Sequence, residues 1–453
     1  MPKGISLYGK SLTKNRMQLQ LFEFKPTGPK VQELRNSEAH RWYRFVLAFP
    51  DHFVESMLDR FRVSKENLVL DPFCGTGTTL VECSKRGVSS VGIDSSPLCT
   101  FVSRVKTNWL VKPAKFRVLS EKILSAAEKL DQRVHRAKLD LETEIRRFEV
   151  GRHFYDSGMV ARGWISPIPL LKALHTKQII EDQVREPDYR DLFLLALTSV
   201  LVSDFANVRF GPEIYCVKPK QDISAARILG VKLQQIYEDL RALGGWDRGP
   251  LPLVLEGDAR DCGGLLGDLT SKPVDFIITS PPYPTEHDYT RNTRLELVFL
   301  GFVRDKKSLR DIKQKMLRSH SKGIYAADRE GEHVAEMPEV KKISEELRGK
   351  AKAKSYGFAK LYPRIIEEYF GGMYRHFVSL SPILPSGGKC AYVVGDQKTY
   401  LQTYTPTAEI LAKIAERPEC GFRILGIETW RARRGTTGSQ TPIEEKVLLL
   451  QKR

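Results

Sequence analysis

Short apolar runs recur along this chain, and each stops at a polar or Gly/Pro-rich turn. Residues 67–70 lead into Asp71-Pro72-Phe73-Cys74-Gly75-Thr76-Gly77, and 89–93 end at Asp94. Residues 253–255 run to Gly257-Asp258, 274–278 to Thr279-Ser280-Pro281-Pro282-Tyr283, and 390–394 to Gly395-Asp396. Apolar runs of this length between turn signals read as buried strands. Residues 78–85 read as a helix following the first strand, and 422–429 with 446–451 as a closing antiparallel pair. The elements predict an α/β fold: a Rossmann-like, mostly parallel twisted sheet with helices on both faces, assembled from distant pieces of chain. Open sheets of this kind bind ligands beyond the carboxyl ends of their strands, which is where these turns fall.

Two stretches stand outside that pattern. In 112–250, Leu119, Ile123, Leu130, Val134, Ala137, Leu141, Ile145 and Phe148 recur mostly at steps of three or four. That spacing predicts one long helix whose apolar stripe packs on the domain or forms a helical hairpin; a coiled-coil dimer is the lesser alternative. Residues 302–360 carry 16 Lys and Arg against 9 Asp and Glu. The chain therefore divides into an N-terminal part with a ligand loop (1–110), a mainly helical insertion (111–250), a strand and its turn (251–300), a basic insertion (301–360) and a C-terminal part that completes the sheet (361–453).

Charge adds a partner class. Lys and Arg total 72 against 55 Asp and Glu among 453 residues, a formal net charge of +17. Such an excess favours a polyanion through phosphate contacts, with binding that weakens as salt rises. Seven cysteines are scattered without a C-x-x-C pair, so neither a zinc site nor a disulfide framework is expected. Reduced thiols and a cytoplasmic location are the simpler reading. The N-terminus lacks the apolar core of a signal peptide, and the longest apolar stretch, 192–202, is too short to span a bilayer. It reads as a buried helix, and no membrane partner is expected.

Two turns carry chemistry. At residues 71–79 a strand must turn sharply into a helix, and Gly75 and Gly77 let the backbone approach a ligand, with the unpaired N–H groups of the helix N-terminus alongside. Asp94, ending the next strand, sits where a carboxylate accepts hydrogen bonds from both hydroxyls of a ribose. A dinucleotide site or an ordinary tight turn would show the same residues. At 279–283 two prolines fix the backbone and remove two donors, while Ser280 adds an oxygen and Tyr283 a flat ring. Such a turn suits an amino group on a planar base; a purely structural turn is the alternative.

Together DPFCGTGTT and TSPPY resemble the cofactor and catalytic motifs of the DNA amino-methyltransferases, S-adenosylmethionine-dependent enzymes acting on cytosine N4 or adenine N6. His40-Arg41-Trp42-Tyr43 with Phe49-Pro50 is similar to the family's additional cofactor-wall motif, and Pro385-Ser386-Gly387-Gly388-Lys389 to its later strand motifs. The resemblance covers roughly 40–100, 253–300 and 385–452. It implies a class I methyltransferase fold with S-adenosylmethionine held by Asp71, Phe73, Gly75, Thr76, Gly77, Asp94 and Asp258. It implies that Ser280 and the Pro281 carbonyl accept from the target amino group, that Pro282 shapes the turn, and that Tyr283 stacks on a base drawn out of double-stranded DNA. Ser280, where adenine-modifying members more often carry Asp or Asn, favours cytosine. Cys74 and Cys83 read as packing residues. The cofactor loop precedes the catalytic motif, the reverse of many relatives, so either insertion is a candidate for target recognition; the basic one is favoured. The implied setting is restriction–modification, with a cognate endonuclease as partner. An adenine-N6 or RNA-base methyltransferase is the alternative within enzymes, and a non-catalytic DNA-reading subunit the alternative outside them.

Overall fold

A computed structural model of the protein describes residues 37–45, 49–136, 140–210, 214–244, 249–270, 272–354, 357–398, 400–434 and 442–453. Its strands are β1 (Leu68–Asp71), β2 (Ser89–Asp94), β3 (Val208–Phe210), β4 (Ile214–Cys216), β5 (Leu253–Glu256), β6 (Phe276–Thr279), β7 (Lys389–Gly395), β8 (Phe422–Arg434) and β9 (Pro442–Lys452). Seven of them form one sheet in the order β5-β2-β1-β6-β7-β9-β8, and β3 and β4 form a separate hairpin. The first five strands of the sheet run parallel, and β9 enters antiparallel between β7 and β8. The order reverses between β1 and β6, so a crevice opens there beyond the strand ends. The fold is Rossmann-like, as expected; the boundaries of the five parallel strands differ from the sequence reading by a residue or two, while the closing pair is longer, with β8 running on five residues past 429 and β9 starting four residues before 446.

Burial on both faces explains why these strands are apolar without alternation. Ile277, Cys390, Tyr392, Val394, Leu448 and Leu450 join one core, and Ile278, Ala391, Val393, Val447 and Leu449 join another. Because successive side chains point to opposite faces, each strand feeds both layers. The helices are α1 (Asp51–Phe61), α2 (Thr78–Lys85), α3 (Pro97–Thr107), α4 (Pro113–Arg136), α5 (Leu141–Arg146), α6 (Glu149–Asp156), α7 (Pro167–Gln183), α8 (Pro187–Val200), α9 (Ala225–Leu243), α10 (Cys262–Leu266), α11 (Tyr289–Asn292), α12 (Arg294–Phe299), α13 (Lys306–Lys315), α14 (Pro338–Lys352), α15 (Tyr362–Leu380) and α16 (Thr407–Ala415). On one face Phe53, Val54, Met57 and Leu58 of α1 cover the sheet, and α14, α15 and α16 cover the other. None of the described helices is long and apolar enough to cross a membrane.

The single long helix expected after residue 112 is three helices, α4, α5 and α6. Asp140 starts the second by accepting from the backbone N–H and hydroxyl of Thr143, at 3.4 and 2.6 Å, so a polar cap interrupts the apolar stripe. Ala137 lies outside the described residues. Ile123, Leu130 and Val134 of the stripe are buried in a helical core with α7, α8, α9 and α3. The stripe therefore packs on its own domain.

Residues 302–360 are woven into the domain. Leu317, Val334, Val340, Ile343 and Leu347 lie in the sheet's own core, while Val303 and Ile312 join the helical one. Charged residues in this stretch hide an apolar framework that the sequence reading passed over.

Candidate active site

One cleft gathers the ends of β1, β2, β5, β6 and β7 and encloses about 1490 Å³ of atom-free space, its open mouth included. On one side the chain leaves β1 through Pro72–Gly77 and enters α2. Gly75 and Gly77 hold φ of +51° and +81°, the left-handed region that favours glycine. A Cβ at Gly75 would meet no atom within 4 Å, whereas one at Gly77 would stand 2.9 Å from Ser103 Oγ. Gly75 thus leaves the cleft open to a ligand, and Gly77 lets α3 pack against the loop. Phe73, Cys74, Gly75, Thr76 and Thr78 all line the cleft.

Asp94 closes this side. Its Oδ2 accepts from Gly75 N–H at 2.9 Å and its Oδ1 from Ser96 N–H at 2.8 Å. Burial pushes the carboxyl up to about 6 against the pull of those two donors, and Glu256 alongside adds repulsion. Each oxygen keeps a second lone pair for a ligand. Asp258 also lines the cleft. Its carboxylate lies in the fork of Arg260, with Nε 2.8 Å from Oδ1, and Arg260 reaches on to Glu330 and the Gln314 carbonyl. The basic stretch is thereby bolted to this wall, and its Met316 and Leu317 complete the lining.

The opposite side grows from β6. Ser280 Oγ donates to the Val393 carbonyl at 3.2 Å. With its proton committed there, the hydroxyl faces the cleft as an acceptor. Pro281, Pro282 and Tyr283 line the same space. The Tyr283 ring lies so close to β7 that a Cβ at Gly395 would be 3.0 Å from its Cε2. The turn after Tyr283 is held from outside: Glu286 accepts from the Ser321 N–H and hydroxyl at 2.9 Å each. Tyr400 Oη bridges Glu286 N–H and the Ser319 carbonyl at 3.2 and 2.6 Å.

The structure brings together in this cleft Phe73, Gly75, Thr76, Asp94, Asp258, Ser280, Pro281, Pro282 and Tyr283. Two expected ligand residues stand elsewhere. Gly77 faces Ser103, as above. Asp71 is fully buried beneath the loop, accepting from Thr279 Oγ1 at 2.6 Å, Thr79 Oγ1 at 2.7 Å and Phe73 N–H at 3.1 Å. It ties the loop between β1 and α2 to the Thr279–Tyr283 turn. Of the upstream motif, Phe49 lines the cleft. Arg41 and Trp42 instead bind Asp239 of α9, and Tyr43 donates to Glu296 at 3.1 Å. Arg209, whose place beside Phe210-Gly211 in the sequence suits either a position near the cleft or a salt-bridged core position, sits on the β3–β4 hairpin and is exposed; Gly211 lies outside the described residues.

Sequence reasoning missed His287, Tyr289, Arg431 and Glu445, all lining the cleft. His287 and Tyr289 followed closely on a recognised motif, which was signal enough to include them. Arg431 and Glu445 sit in the closing strands, where charged residues look like a solvent face.

Residues 8–99 match the DNA methylase family N6_N4_Mtase. Two curated relatives align along most of the chain. Type II methyltransferase M.BsoBI of Geobacillus stearothermophilus is 24% identical over 446 residues, 90% of this chain and 83% of that protein. Type II methyltransferase M.AvaI of Nostoc is 24% identical over 426 residues, 90% of this chain and 84% of that protein. Type II methyltransferase M.MjaII of Methanocaldococcus jannaschii is 38% identical over 73 residues, 16% of this chain and 13% of that protein. With a Rossmann-like sheet and both motifs at one cleft, the chain is similar to the DNA amino-methyltransferases over its N-terminal segment and to type II DNA methyltransferases along most of its length.

Proposed function

We propose that the protein transfers a methyl group from S-adenosylmethionine to the exocyclic amino group of cytosine in double-stranded DNA, as the modifying partner of a restriction endonuclease. The observation that carries this reading is the Ser280 hydroxyl: its proton is spent on Val393, so it presents an acceptor in the cleft that also holds Gly75 and Asp94. The cofactor side suits S-adenosylmethionine, because a Cβ at Gly75 would intrude on open space and Asp94 keeps lone pairs for ribose hydroxyls. Phe73, Gly75, Thr76 and Asp94 would hold it, with Asp258 towards the adenine. When bound, it supplies an electrophilic methyl group.

The chain's own contribution is alignment. An amino group conjugated to a pyrimidine is a poor nucleophile, because its lone pair is delocalised into the ring. Ser280 Oγ and the Pro281 carbonyl would accept hydrogen bonds from its two N–H groups and turn that lone pair out of the ring plane, and the nitrogen would give up one of those protons to solvent once methylated. Orientation of this kind substitutes for acid–base activation. The base must leave the duplex to reach the cleft, and Tyr283 offers a face for it, worth about 1–3 kcal/mol in stacking. No cysteine nucleophile is needed: burial pushes the Cys74 thiol well above its ordinary value.

The test is the modified-base content of DNA from cells expressing the chain. N4-methylcytosine should appear with the wild type and vanish with Ser280→Ala. Methyladenine in its place would move the target to adenine and leave the reaction class standing.

A further inference from the structure

The ends of β7, β9 and β8 place three residues in a row, a glycine and two charged side chains. Gly395 of β7 pairs with Glu445 of β9, and Glu445 pairs with Arg431 of β8. Directly opposed residues project from the same face of a sheet. Tyr283 lies on that face, against Gly395. Tyr283, Glu445 and Arg431 all line the cleft with Ser280.

The strand itself is modified to place Arg431. Register shifts between Thr429 and Arg431, where the pairing moves from Lys446 to Glu445, leaving Trp430 as an extra residue. Such bulges re-aim side chains beside functional sites. Trp430 is anchored against Phe53 with ring centroids 5.3 Å apart, and the Arg431 guanidinium lies 4.6 Å from its ring centroid. Arg431 Nε donates to Glu445 Oε2, and Glu445 is only 5% exposed. The ion pair fixes the guanidinium plane, while its two terminal nitrogens lie outside that hydrogen bond.

We propose that Arg431, aligned by Glu445, reads the pyrimidine edge of the target base and selects cytosine. The inference rests on the methyl-transfer reading above and deepens it. Next to its amino group cytosine presents two neighbouring acceptors, N3 and O2. A planar fork of N–H donors matches such a pair. Adenine presents N1 and then a C2–H, so one arm of the fork would be left facing carbon. Ser280 therefore holds the amine, Tyr283 the ring face, and Arg431 the two acceptors that distinguish this base.

The test uses the full-length chain, labelled S-adenosylmethionine and unmethylated duplex DNA of mixed sequence, with methylated nucleosides separated by mass spectrometry. Arg431→Gln should lower kcat/KM for N4-methylcytosine by about tenfold to a hundredfold, the discrimination of a good bidentate pair. Its ratio of methyladenine to methylcytosine should rise. Arg431→Lys keeps a cation beside Glu445 but lacks the fork, and it should stay impaired while melting temperature and cofactor affinity match the wild type. Wild-type kcat/KM and base ratio in a folded Arg431→Lys protein would overturn the proposal and reduce the pair to a cross-strand staple. A wild type that makes N4-methylcytosine while both variants match its kcat/KM and base ratio overturns this inference alone. A wild type that labels only adenine overturns it together with the substrate reading.

Discussion

The two sides of the cleft are built differently. The proposed cofactor side comes mostly from one short segment, Pro72 to Thr78, with Asp94 and Asp258 supplied beyond the next two strands of the sheet. Its chemistry is backbone geometry and one buried carboxylate. The base side is assembled from the end of β6, the turn behind it, Val393 of β7, Glu445 of β9 and Arg431 of β8. Its chemistry is side chains that meet only after the sheet has closed. The two sides share one beam: Asp71 accepts from Thr79 on the first and Thr279 on the second. On the proposed reading, cofactor binding is locally encoded, whereas base choice is a property of tertiary structure.

Single substitutions should separate the sides. Ser280→Ala should lower kcat by about a hundredfold, the cost of misplacing a reacting group by about an ångström. Cofactor affinity by calorimetry should stay within about twofold; a parallel loss of both would mean that the sides are not separable. Asp94→Ala should do the opposite, weakening the cofactor by about 1.5–3 kcal/mol, as for charged hydrogen bonds. Turnover at saturating cofactor should then be largely retained. Asp71→Ala should damage both sides, because three donors lose their acceptor. Unfolding stability should fall by about 1–3 kcal/mol, read from urea denaturation, with losses in both affinity and turnover.

The smallest effect expected is on pH. Burial holds the Asp94 carboxyl at about 6 in the folded protein against an ordinary value of 3.8. A carboxyl raised on folding contributes stability below its unfolded value and loses it as pH rises through the folded one. In the ligand-free protein this group therefore favours folding near pH 4 and costs stability above pH 6. Asp71, also pushed by burial to about 6, has the same sign. Cofactor binding runs the other way, because ribose hydroxyls prefer the ionised acceptor. Affinity should rise several-fold from pH 5 to pH 7 and then level off. Asp94→Asn should flatten that rise; an unchanged slope would assign it to another group.

This contrast also explains what could be read from sequence. β1, β6 and β7 were legible because burial on both faces makes them near-continuous apolar runs, whereas β8, at the sheet edge, carries charged and exposed positions and was read too short. The Gly75 loop and the Ser280 turn were legible because each is a local pattern of unusual residues. Asp71 was misplaced because its partners Thr79 and Thr279 lie 8 and 208 residues away. The break at Asp140 was hidden by an apolar period that continues across it. In 302–360, charge obscured Leu317, Val340 and Leu347, which fill the sheet's core. Arg431 and Glu445 were invisible because only the register of β7, β9 and β8 carries them to Tyr283.

The most direct measurement is the identity of the methylated atom when the purified chain acts on duplex DNA and RNA together with labelled S-adenosylmethionine. Label is expected in N4-methylcytosine of the DNA, because the proposed role of Ser280 is to hold an exocyclic amine, and burial pushes the Cys74 and Cys99 thiols that line the cleft well above their ordinary value, away from the nucleophilic thiolate. Label confined to RNA, to adenine or to C5 of cytosine would contradict it.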